Sequence, residues 1–380
     1  MENQMSLRDT QMVVDLGQLA ENMDLIRDMV GPQVKIMAVV KANAYGHGAV
    51  AISQTLLNHG ADWLAVATLG EALELREAYP QTDILILGYT PDRLLPLVLE
   101  NNLCQVLFEL PQAKVMNQLA TEKGCAARVQ IKIDTGLHRL GFVPSPETEE
   151  AIAAICHMDH IQVDGIFTHL ILQSQESNER QYQQFCQLTE SLEAKGCHFP
   201  LKHIADSISG VDYPQYRLNM IRPGSLLYGM HAFHIGELDV KPAMYIRTKI
   251  AQIHHLQPGE GASYDWFWTA KRPSIIATLP IGYADGLPRR YWPEGYVAVN
   301  GVRCPYAGLI NMDQCMVDVT DVPGIAENFR DAEVILIGDG KHPGAPTIHE
   351  ISAAIGNNRN DLMSRISARV ERVYLPESRV

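Results

Sequence analysis

Short runs of β-branched and other apolar residues alternate with longer amphipathic stretches between residues 34 and 222. The amphipathic stretches have helical spacing, as when Leu19, Met23, Ile26 and Val30 fall on one face before the first run. The runs predicted to be strands are VKIMAVV (34–40), DWLAVAT (62–68), DILILG (83–88), CQVLF (104–108), ARVQIKID (127–134), HIQVDGIF (160–167), LKHIA (201–205) and RLNMI (217–221). Eight strands alternating with helices indicate a (β/α)8 barrel of the TIM type. A doubly wound open sheet also alternates, so the strand count discriminates between the two.

The pattern changes after about residue 240, where long β-type stretches follow one another. Turn signals separate them at Pro258-Gly259, at Asn300-Gly301 and at residues 338–340. One helical segment, TIHEISAAIG (347–356), interrupts the strands. We therefore predict a barrel over residues 1–240 and a mainly β domain over residues 241–380. The first strand of the chain is a candidate member of the β domain.

Composition and charge narrow the class of protein. The length of 380 residues suits two domains, and 46% hydrophobic with 20% charged residues is ordinary for a globular protein. The net charge of −13 disfavours nucleic acid and anionic membranes as partners, although a local cluster of donors can still bind an anionic ligand. No apolar run is long enough to span a bilayer, and the N-terminal MENQMSLRDT lacks a signal core. A soluble cytoplasmic protein is expected.

The seven cysteines are scattered, odd in number and contain no C-x-x-C. This spacing predicts reduced thiols, with neither a disulfide framework nor a metal site.

The segment AVVKANAYGHG (38–48) carries the strongest chemical signal. Lys41 directly follows the first predicted strand, so it is placed at the C-terminal mouth of the barrel, where barrel enzymes carry their chemistry. Partial desolvation lowers the pKa of a lysine and makes it a nucleophile or a Schiff-base amine. A tight polar turn, from Tyr45 to Gly48, is predicted to follow. The residues alone fit equally well a strand that ends in a snorkelling lysine.

AVVKANAYGHG resembles the motif that carries the cofactor lysine in alanine racemases, which use pyridoxal 5′-phosphate (PLP). Further segments resemble the same family in the same order: IKIDTGLHRLGF (131–142), GIFTHL (165–170), MIRPGSLLYG (220–229), GASY (261–264), ATLPIGYADG (277–286), NMDQCMVDV (311–319) and RISARVERVY (365–374). The resemblance covers essentially the whole chain. It implies a PLP barrel followed by a β domain, a small amino acid as substrate, D-amino acids for peptidoglycan as the product, and a head-to-tail homodimer.

The resemblance assigns the reacting groups. Racemisation removes a proton from one face of the α-carbon and returns one on the other, so two bases are the simplest arrangement. Lys41 is one base, and Tyr264, reaching across from the partner subunit, is the other. His169 is expected beside Tyr264, and Arg222 faces the pyridine nitrogen. Taken alone, these residues also fit a core tyrosine, a strand-end histidine and a surface arginine.

Other residues are assigned to binding the cofactor. Arg139 is expected to bond the phenolic oxygen of PLP and the substrate carboxylate. Lys132, which the family often carries as a carbamate, would orient Arg139; an exposed strand lysine is the alternative. The phosphate needs convergent donors, which are Tyr45, Ser207, Gly224 and Ser225.

Three residues of the β domain are assigned to the substrate by resemblance. Met312 is expected to offer its backbone N–H to the substrate carboxylate. Tyr283 and Asp313 would line the access channel.

Several positions depart from the family pattern. Asn360 stands where a tyrosine normally narrows the substrate pocket, Asp206 replaces an asparagine, and Ser174, Asn311 and Ala368 differ as well. An amide at position 360 leaves room and hydrogen-bonding capacity for a hydroxymethyl side chain. Serine racemases and broad-specificity racemases are similar in lacking this tyrosine, so serine is an alternative substrate.

Two other classes of protein share features with this chain. PLP-barrel decarboxylases share the lysine, but they place an acid at the pyridine nitrogen and a cysteine motif near the C-terminus. Arg222 and the NMDQC context of Cys315 favour a racemase. Non-enzymatic PLP-carrier proteins are usually single-domain, which the Tyr264-bearing domain argues against.

Overall fold

Each predicted barrel run contains a parallel strand in the computed structural model, which describes residues 6–230 and 234–377. A first strand, β1 (Gln11–Asp15), precedes the barrel. The barrel strands are β2 (Lys35–Val39), β3 (Trp63–Val66), β4 (Asp83–Ile86), β5 (Cys104–Leu107), β6 (Ala127–Lys132), β7 (Ile161–Phe167), β8 (Leu201–His203) and β9 (Met220–Ile221). They are shorter than predicted, and β2 ends two residues before Lys41.

The eight strands follow one another around a ring in the order β8-β7-β6-β5-β4-β3-β2-β9. The ring closes between β9 and β8, where the backbone N–H of Arg222 donates to the carbonyl of Ala205 over 2.9 Å. The Asn219 side chain adds a second link by accepting from the backbone N–H of Lys202 over 2.7 Å. The sheet is a barrel of the TIM type, and the predicted fold class is confirmed.

Helices connect the barrel strands, most of them on the outside of the ring and two short ones at its C-terminal mouth. They are α1 (Leu16–Val30), α2 (Lys41–Tyr45), α3 (Ala49–Asn58), α4 (Leu69–Ala78), α5 (Leu95–Glu100), α6 (Leu110–Lys123), α7 (Pro146–Cys156), α8 (Gln175–Ala194) and α9 (Ser207–Asp212). Of the predicted face of α1, Leu19, Met23 and Ile26 are fully buried, and Val30 at its end is half-buried. Asp15 caps this helix by accepting from the backbone N–H of Gln18 over 3.0 Å.

Alternate residues of the strands point into the barrel and form a separate apolar cluster there. Its buried members are Met37, Val39, Trp63, Ala65, Leu85, Cys104, Val106, Phe167, Leu201 and Met220. The period of two follows from the pleat of a strand. It also fixes which residues beyond the strand ends face the mouth of the barrel.

The second domain contains strands β10 (Met244–Thr248), β11 (Gln252–Leu256), β12 (Gly261–Ala262), β13 (Trp268–Thr269), β14 (Ser274–Leu279), β15 (Tyr296–Val299), β16 (Val302–Pro305), β17 (Cys315–Asp318), β18 (Val334–Ile337) and β19 (Glu371–Leu375). The predicted turn at Asn300-Gly301 joins β15 to β16, and both residues have positive φ, as a type I′ turn requires. The prediction of one helical segment was incomplete, because the domain has α10 (Ile325–Asn328), α11 (Ile348–Ile355) and α12 (Arg359–Ser364).

The first strand lies in the sheet of the second domain. In the order β16-β15-β18-β10-β1-β19, β1 runs antiparallel to β10 and parallel to β19. The predicted boundary at residue 240 falls between β9 and β10, and its position stays a prediction. Within the described ranges, we find no helix with the length and apolarity needed to cross a membrane.

Candidate active site

A cavity of about 520 Å³ opens at the C-terminal ends of the barrel strands. That volume lies in the usual range for small-molecule sites. It is lined by ten of the residues predicted from the sequence: Lys41, Tyr45, Lys132, Arg139, His169, Ser207, Arg222, Gly224, Ser225 and Asn360. Four of these are basic side chains, and Asp206 is the one carboxylate among the described lining residues. The cavity is therefore suited to an anionic ligand, despite the negative charge of the whole chain.

The pleat of the barrel strands brings these side chains together. Arg222 comes two residues after the inward-facing Met220, and His169 comes two residues after Phe167. Lys41 continues the inward-facing series of Met37 and Val39 in the same way. Each of these three side chains thus occupies the first inward position beyond the apolar interior.

The backbone after Lys41 is left-handed. Ala42, Asn43, Ala44 and Tyr45 all have φ between 51° and 54°, and none of them is glycine. Left-handed conformation costs about 1–2 kcal/mol for each such residue, so surrounding contacts must hold roughly 4–8 kcal/mol of strain. Backbone strain of this size is typical of functional sites.

The predicted tight turn from Tyr45 to Gly48 is present, but His47 within it is buried. Its ring stacks on Tyr228, with the ring centroids 4.5 Å apart. Arg372 of β19 donates to the carbonyl of Gly46 over 3.0 Å. The second domain thereby packs directly on the loop that carries Lys41.

The pKa of Lys41 lies below its usual value. Burial is the largest cause of this shift, and the charge of Arg139 lowers the pKa further. The Glu71 carboxylate acts in the opposite direction. A lowered pKa increases the fraction of neutral amine, which is the nucleophilic and basic form.

Arg222 is buried and links two histidines. Its Nη1 lies 2.6 Å from Nδ1 of His203, and its Nη2 lies 3.4 Å from Nδ1 of His169. A guanidinium only donates, so both Nδ1 atoms accept and both imidazoles carry their proton on Nε2. His203 then donates from Nε2 to Oε1 of Gln130 over 2.8 Å.

These histidines are held in the neutral form. Burial lowers the pKa of His169 to about 4; the nearby Asp206, whose Oδ2 lies 3.8 Å from Nε2, opposes that shift and Arg222 adds to it. Burial and then the charge of Arg222 lower the pKa of His203 well below its usual value. Burial also lowers the pKa of Arg222, to about 10, so this side chain is still a cation at neutral pH.

Lys132 is buried at the end of β6, and its Nζ donates to the carbonyl of Ile133 over 2.9 Å. Burial, and then the charge of Arg222, lower its pKa to about 7, with a further contribution from Arg139. The alternative of an exposed strand lysine is therefore wrong.

A set of hydroxyl and backbone donors lies at one end of the cavity. Ser207 Oγ accepts from the backbone N–H of Gly224 over 2.8 Å and of Leu226 over 3.3 Å, which leaves its own proton free to donate. A Cβ at Gly224 would lie 2.7 Å from the Tyr45 hydroxyl, so only glycine permits this close approach. Burial raises the pKa of Tyr45 to about 12, which keeps its hydroxyl protonated as a donor.

Tyr264, Tyr283, Met312 and Asp313 do not line this cavity. They lie together on the surface of the second domain, where Tyr264 is 67% and Met312 is 54% exposed. Asn311 connects them, because its carbonyl accepts from the backbone N–H of Tyr283 and its side chain lies 3.5 Å from Ser263 Oγ. Asp313 accepts from Arg369 over 2.7 Å.

Several residues of the site were not predicted from the sequence. His203 and Gln130 extend the arginine network, and Asn358 and Arg359 line the cavity beside Asn360. His203 could have been found from the pleat, because it lies two residues after the inward-facing Leu201. Asn358 and Arg359 lie at the start of α12, in the region where the sequence predicted no helix.

The fold and site define a barrel whose mouth holds a cavity lined by basic side chains, with Lys132 and Arg222 buried in it, and suited to an anionic ligand. Two family models match the chain: the alanine racemase N-terminal domain over residues 14–232 and the alanine racemase C-terminal domain over residues 243–374. The chain belongs to the alanine racemase family and is an enzyme of the isomerase (racemase) class.

Individual relatives support this assignment along the whole chain. The alanine racemase of Methanococcus maripaludis is 36% identical over 95% of this chain and 97% of its own length. That of Clostridium tetani is also 36% identical, over 98% and 97%. The solved alanine racemase of Clostridium difficile 630 superposes with a TM-score of 0.91 at 34% identity, covering 97% of this chain and 96% of its own.

A solved alanine racemase from Bacillus anthracis has L-Ala-P bound. It superposes with a TM-score of 0.90 at 29% identity over 98% of this chain and 97% of its own.

The family is PLP-dependent, and the cavity fits that cofactor. It offers an amine of lowered pKa at Lys41. It also offers the hydroxyl groups of Tyr45 and Ser207, which lie close to the Gly224 backbone; we call this set the glycine cradle. The buried Arg222 cation lies in the same cavity.

Proposed function

We propose that this protein interconverts L- and D-alanine with PLP as its cofactor. The observation that carries the proposal is one cavity in which Lys41, of lowered pKa, lies with Arg139, Arg222 and the donors of the glycine cradle. Chiral analysis of the holoenzyme incubated with either enantiomer tests it. We expect both reactions to converge on equal amounts of L- and D-alanine, whereas a PLP-loaded protein that leaves both enantiomers unchanged would refute it.

When bound, PLP supplies an electron sink for the charge left at the α-carbon after deprotonation. Lys41 would hold it covalently, and Tyr45, Ser207, Gly224 and Ser225 would hold its phosphate. Arg139 would bond its phenolic oxygen and the substrate carboxylate. Arg222 would face the ring nitrogen as a donor, because a cationic guanidinium cannot accept a proton.

Two bases act on opposite faces of the substrate. Lys41 moves the proton on one face, and Tyr264 of the partner subunit moves it on the other. A phenol accepts a proton only as its anion, so Tyr264 needs a neighbouring donor that stabilises the anion. His169 supplies that donor, because Arg222 already occupies its Nδ1 and leaves the proton on Nε2.

A head-to-tail homodimer brings the two bases together. The exposed surface formed by Tyr264, Trp266, Phe267, Tyr283 and Met312 has the aromatic and methionine side chains typical of a protein interface. In the dimer this surface would cover the partner's barrel mouth. Met312 would then offer its backbone N–H to the substrate carboxylate, while Tyr283 and Asp313 would border the access channel.

Lys132 is proposed to carry a carbamate. With a pKa of about 7, about half of the amine is neutral at pH 7, against on the order of one in 10³ for an ordinary lysine. Neutral amine adds to carbon dioxide, forming an N–C bond and releasing one proton. The positive charges of Arg222 and Arg139 repel a protonated Lys132, whereas they would attract the negatively charged carbamate.

Protein equilibrated with ¹³C-bicarbonate is therefore expected to show a carbamate carbon signal that Lys132→Ala lacks. The signal should weaken as the pH falls through about 7, because the protonated amine cannot react. Lys35→Ala, which removes a half-exposed lysine, should keep the signal. Identical spectra from wild type and Lys132→Ala would contradict the carbamate.

Serine is the second candidate substrate, because Asn360 lines the cavity. Its backbone N–H donates to Oδ1 of Asn358, the cap of α12, over 2.8 Å, which fixes the start of this helix beside the cavity. An amide there can bond a hydroxymethyl group, whereas the tyrosine usual in the family would occupy that space.

Asn360→Tyr is expected to lower the ratio of kcat/KM for L-serine to that for L-alanine by about tenfold. Asn357→Tyr, which adds the same ring at an exposed neighbouring position, should leave the ratio unchanged. A wild-type preference for alanine of roughly a thousandfold that persists in Asn360→Tyr would exclude the serine alternative.

A further inference from the structure

Glu71 makes hydrogen bonds to two separate parts of the barrel mouth. Its Oε1 accepts from the backbone N–H of Ala42 over 2.6 Å, at the start of the left-handed turn. Its Oε2 accepts from the backbone N–H of Ala67 over 2.8 Å and of Thr68 over 3.1 Å, where α4 begins. Both carboxylate oxygens are therefore used, and the turn is bonded to the end of β3.

The bond to Ala42 lies at the point where the left-handed turn needs support. Inside the turn, Ala44 donates to the carbonyl of Val40 over 2.8 Å and Gly46 donates to that of Ala42 over 3.0 Å. These bonds leave the N–H of Ala42 to the Glu71 carboxylate. Ala42 is the neighbour of Lys41, so the position of its peptide fixes the direction in which the lysine side chain leaves the backbone.

The orientation of Glu71 is itself fixed. It is the third residue of α4 and forms a capping box with Thr68, whose hydroxyl accepts from the backbone N–H of Glu71 over 3.4 Å. The carboxylate therefore cannot move away from Ala42 without also releasing the start of the helix. A rigid support of this kind is what a precisely placed reactive amine requires.

We propose that Glu71 is a positioning residue for Lys41, holding the left-handed turn so that the amine points into the cavity. This rests on the proposed role of Lys41 as the cofactor lysine. Glu71 acts through the Ala42 peptide and does not need to touch the substrate. Its charge also opposes the effect of Arg139 on the lysine.

The test separates support of the lysine from simple capping of α4. Glu71→Ala removes both functions, whereas Thr68→Ala weakens the capping box and leaves the bond to Ala42. The apparent dissociation constant of PLP, measured by dialysis of the holoenzyme, is expected to rise about tenfold or more in Glu71→Ala. Thr68→Ala is expected to keep the wild-type constant while losing a similar amount of thermal stability.

Equal dissociation constants in Glu71→Ala and Thr68→Ala, at equal stability, would overturn the proposal. If Glu71→Ala does not fold, the affinity of Glu71→Gln for PLP tests the proposal instead. The single side-chain oxygen of glutamine cannot accept from all three backbone N–H groups that the carboxylate binds. A weakened affinity for PLP in Glu71→Gln supports the proposal, and a wild-type affinity overturns it. Lys41→Ala is measured in parallel: if it binds PLP as wild type does, the proposed function itself fails, whatever the Glu71 variants show.

Discussion

Replacing Lys41 by alanine is expected to reduce the rate of racemisation by about 10⁴-fold or more, because one side chain both binds PLP and moves a proton. The variant should also lose the absorbance band of the lysine-bound cofactor near the violet edge of the visible spectrum. The reason is the combination of inward position, partial burial and lowered pKa, which supports the proposal that Lys41 is the reactive amine of the cavity. Spectra and chiral assays on the same preparation measure both losses.

Lys35→Ala is the matched control. Lys35 lies at the other end of β2, and its Nζ lies 3.4 Å from Asp62 in a surface ion pair that contributes little to stability. This variant should keep both the band and the activity. Persistence of the absorbance band in Lys41→Ala would show that the cofactor is held elsewhere.

Tyr264→Phe is expected to reduce racemisation by about 10²–10⁴-fold, because it removes the proton-transferring hydroxyl while leaving the ring. Tyr264 is 67% exposed and lies outside the cavity of its own chain, so the proposal requires it to act in the partner's site. Tyr296→Phe removes another hydroxyl of the same domain, one that bonds Glu350, and should be close to wild type. Full activity of Tyr264→Phe in both directions would exclude two bases.

Mixing two inactive variants tests whether Tyr264 acts in the active site of the partner subunit or in that of its own subunit. If Tyr264 serves the partner's site, a heterodimer of Lys41→Ala and Tyr264→Phe has one site with both substitutions and one site with neither. Random reassociation should then restore about a quarter of wild-type activity. If each subunit uses its own Tyr264, every site keeps one substitution and mixing restores nothing.

Much of the fold and part of the site could be predicted from the apolar pattern. The runs of the barrel are buried on both faces, which makes each of them recognisable without its neighbours. The pleat would also have placed Lys41, Arg222 and His203 at the mouth, since each follows an inward-facing residue by two positions. Only the motifs, however, gave reason to assign a function to Lys41 and Arg222, and they did not include His203.

The remaining features depend on contacts between distant segments. Asn43 tolerates a left-handed backbone, but neither Ala42 nor Ala44 favours one, and the bonds to this turn from distant segments come from Glu71 and Arg372. Tyr264 gives no periodic signal either, because its proposed partner belongs to a second chain. The start of α12 was missed because a short helix in a polar segment has little amphipathic pattern.

The placement of β1 in the sheet of the second domain has a consequence for synthesis of the chain. Residues 11–15 are synthesised before both of the strands that they pair with, at residues 244–248 and 371–375. The apolar centre of β1, Met12 to Val14, therefore stays without its complete set of partners until β19 has been made. The barrel strands are synthesised earlier, but the loop of Lys41 receives its hydrogen bond from Arg372 only after β19 has been made.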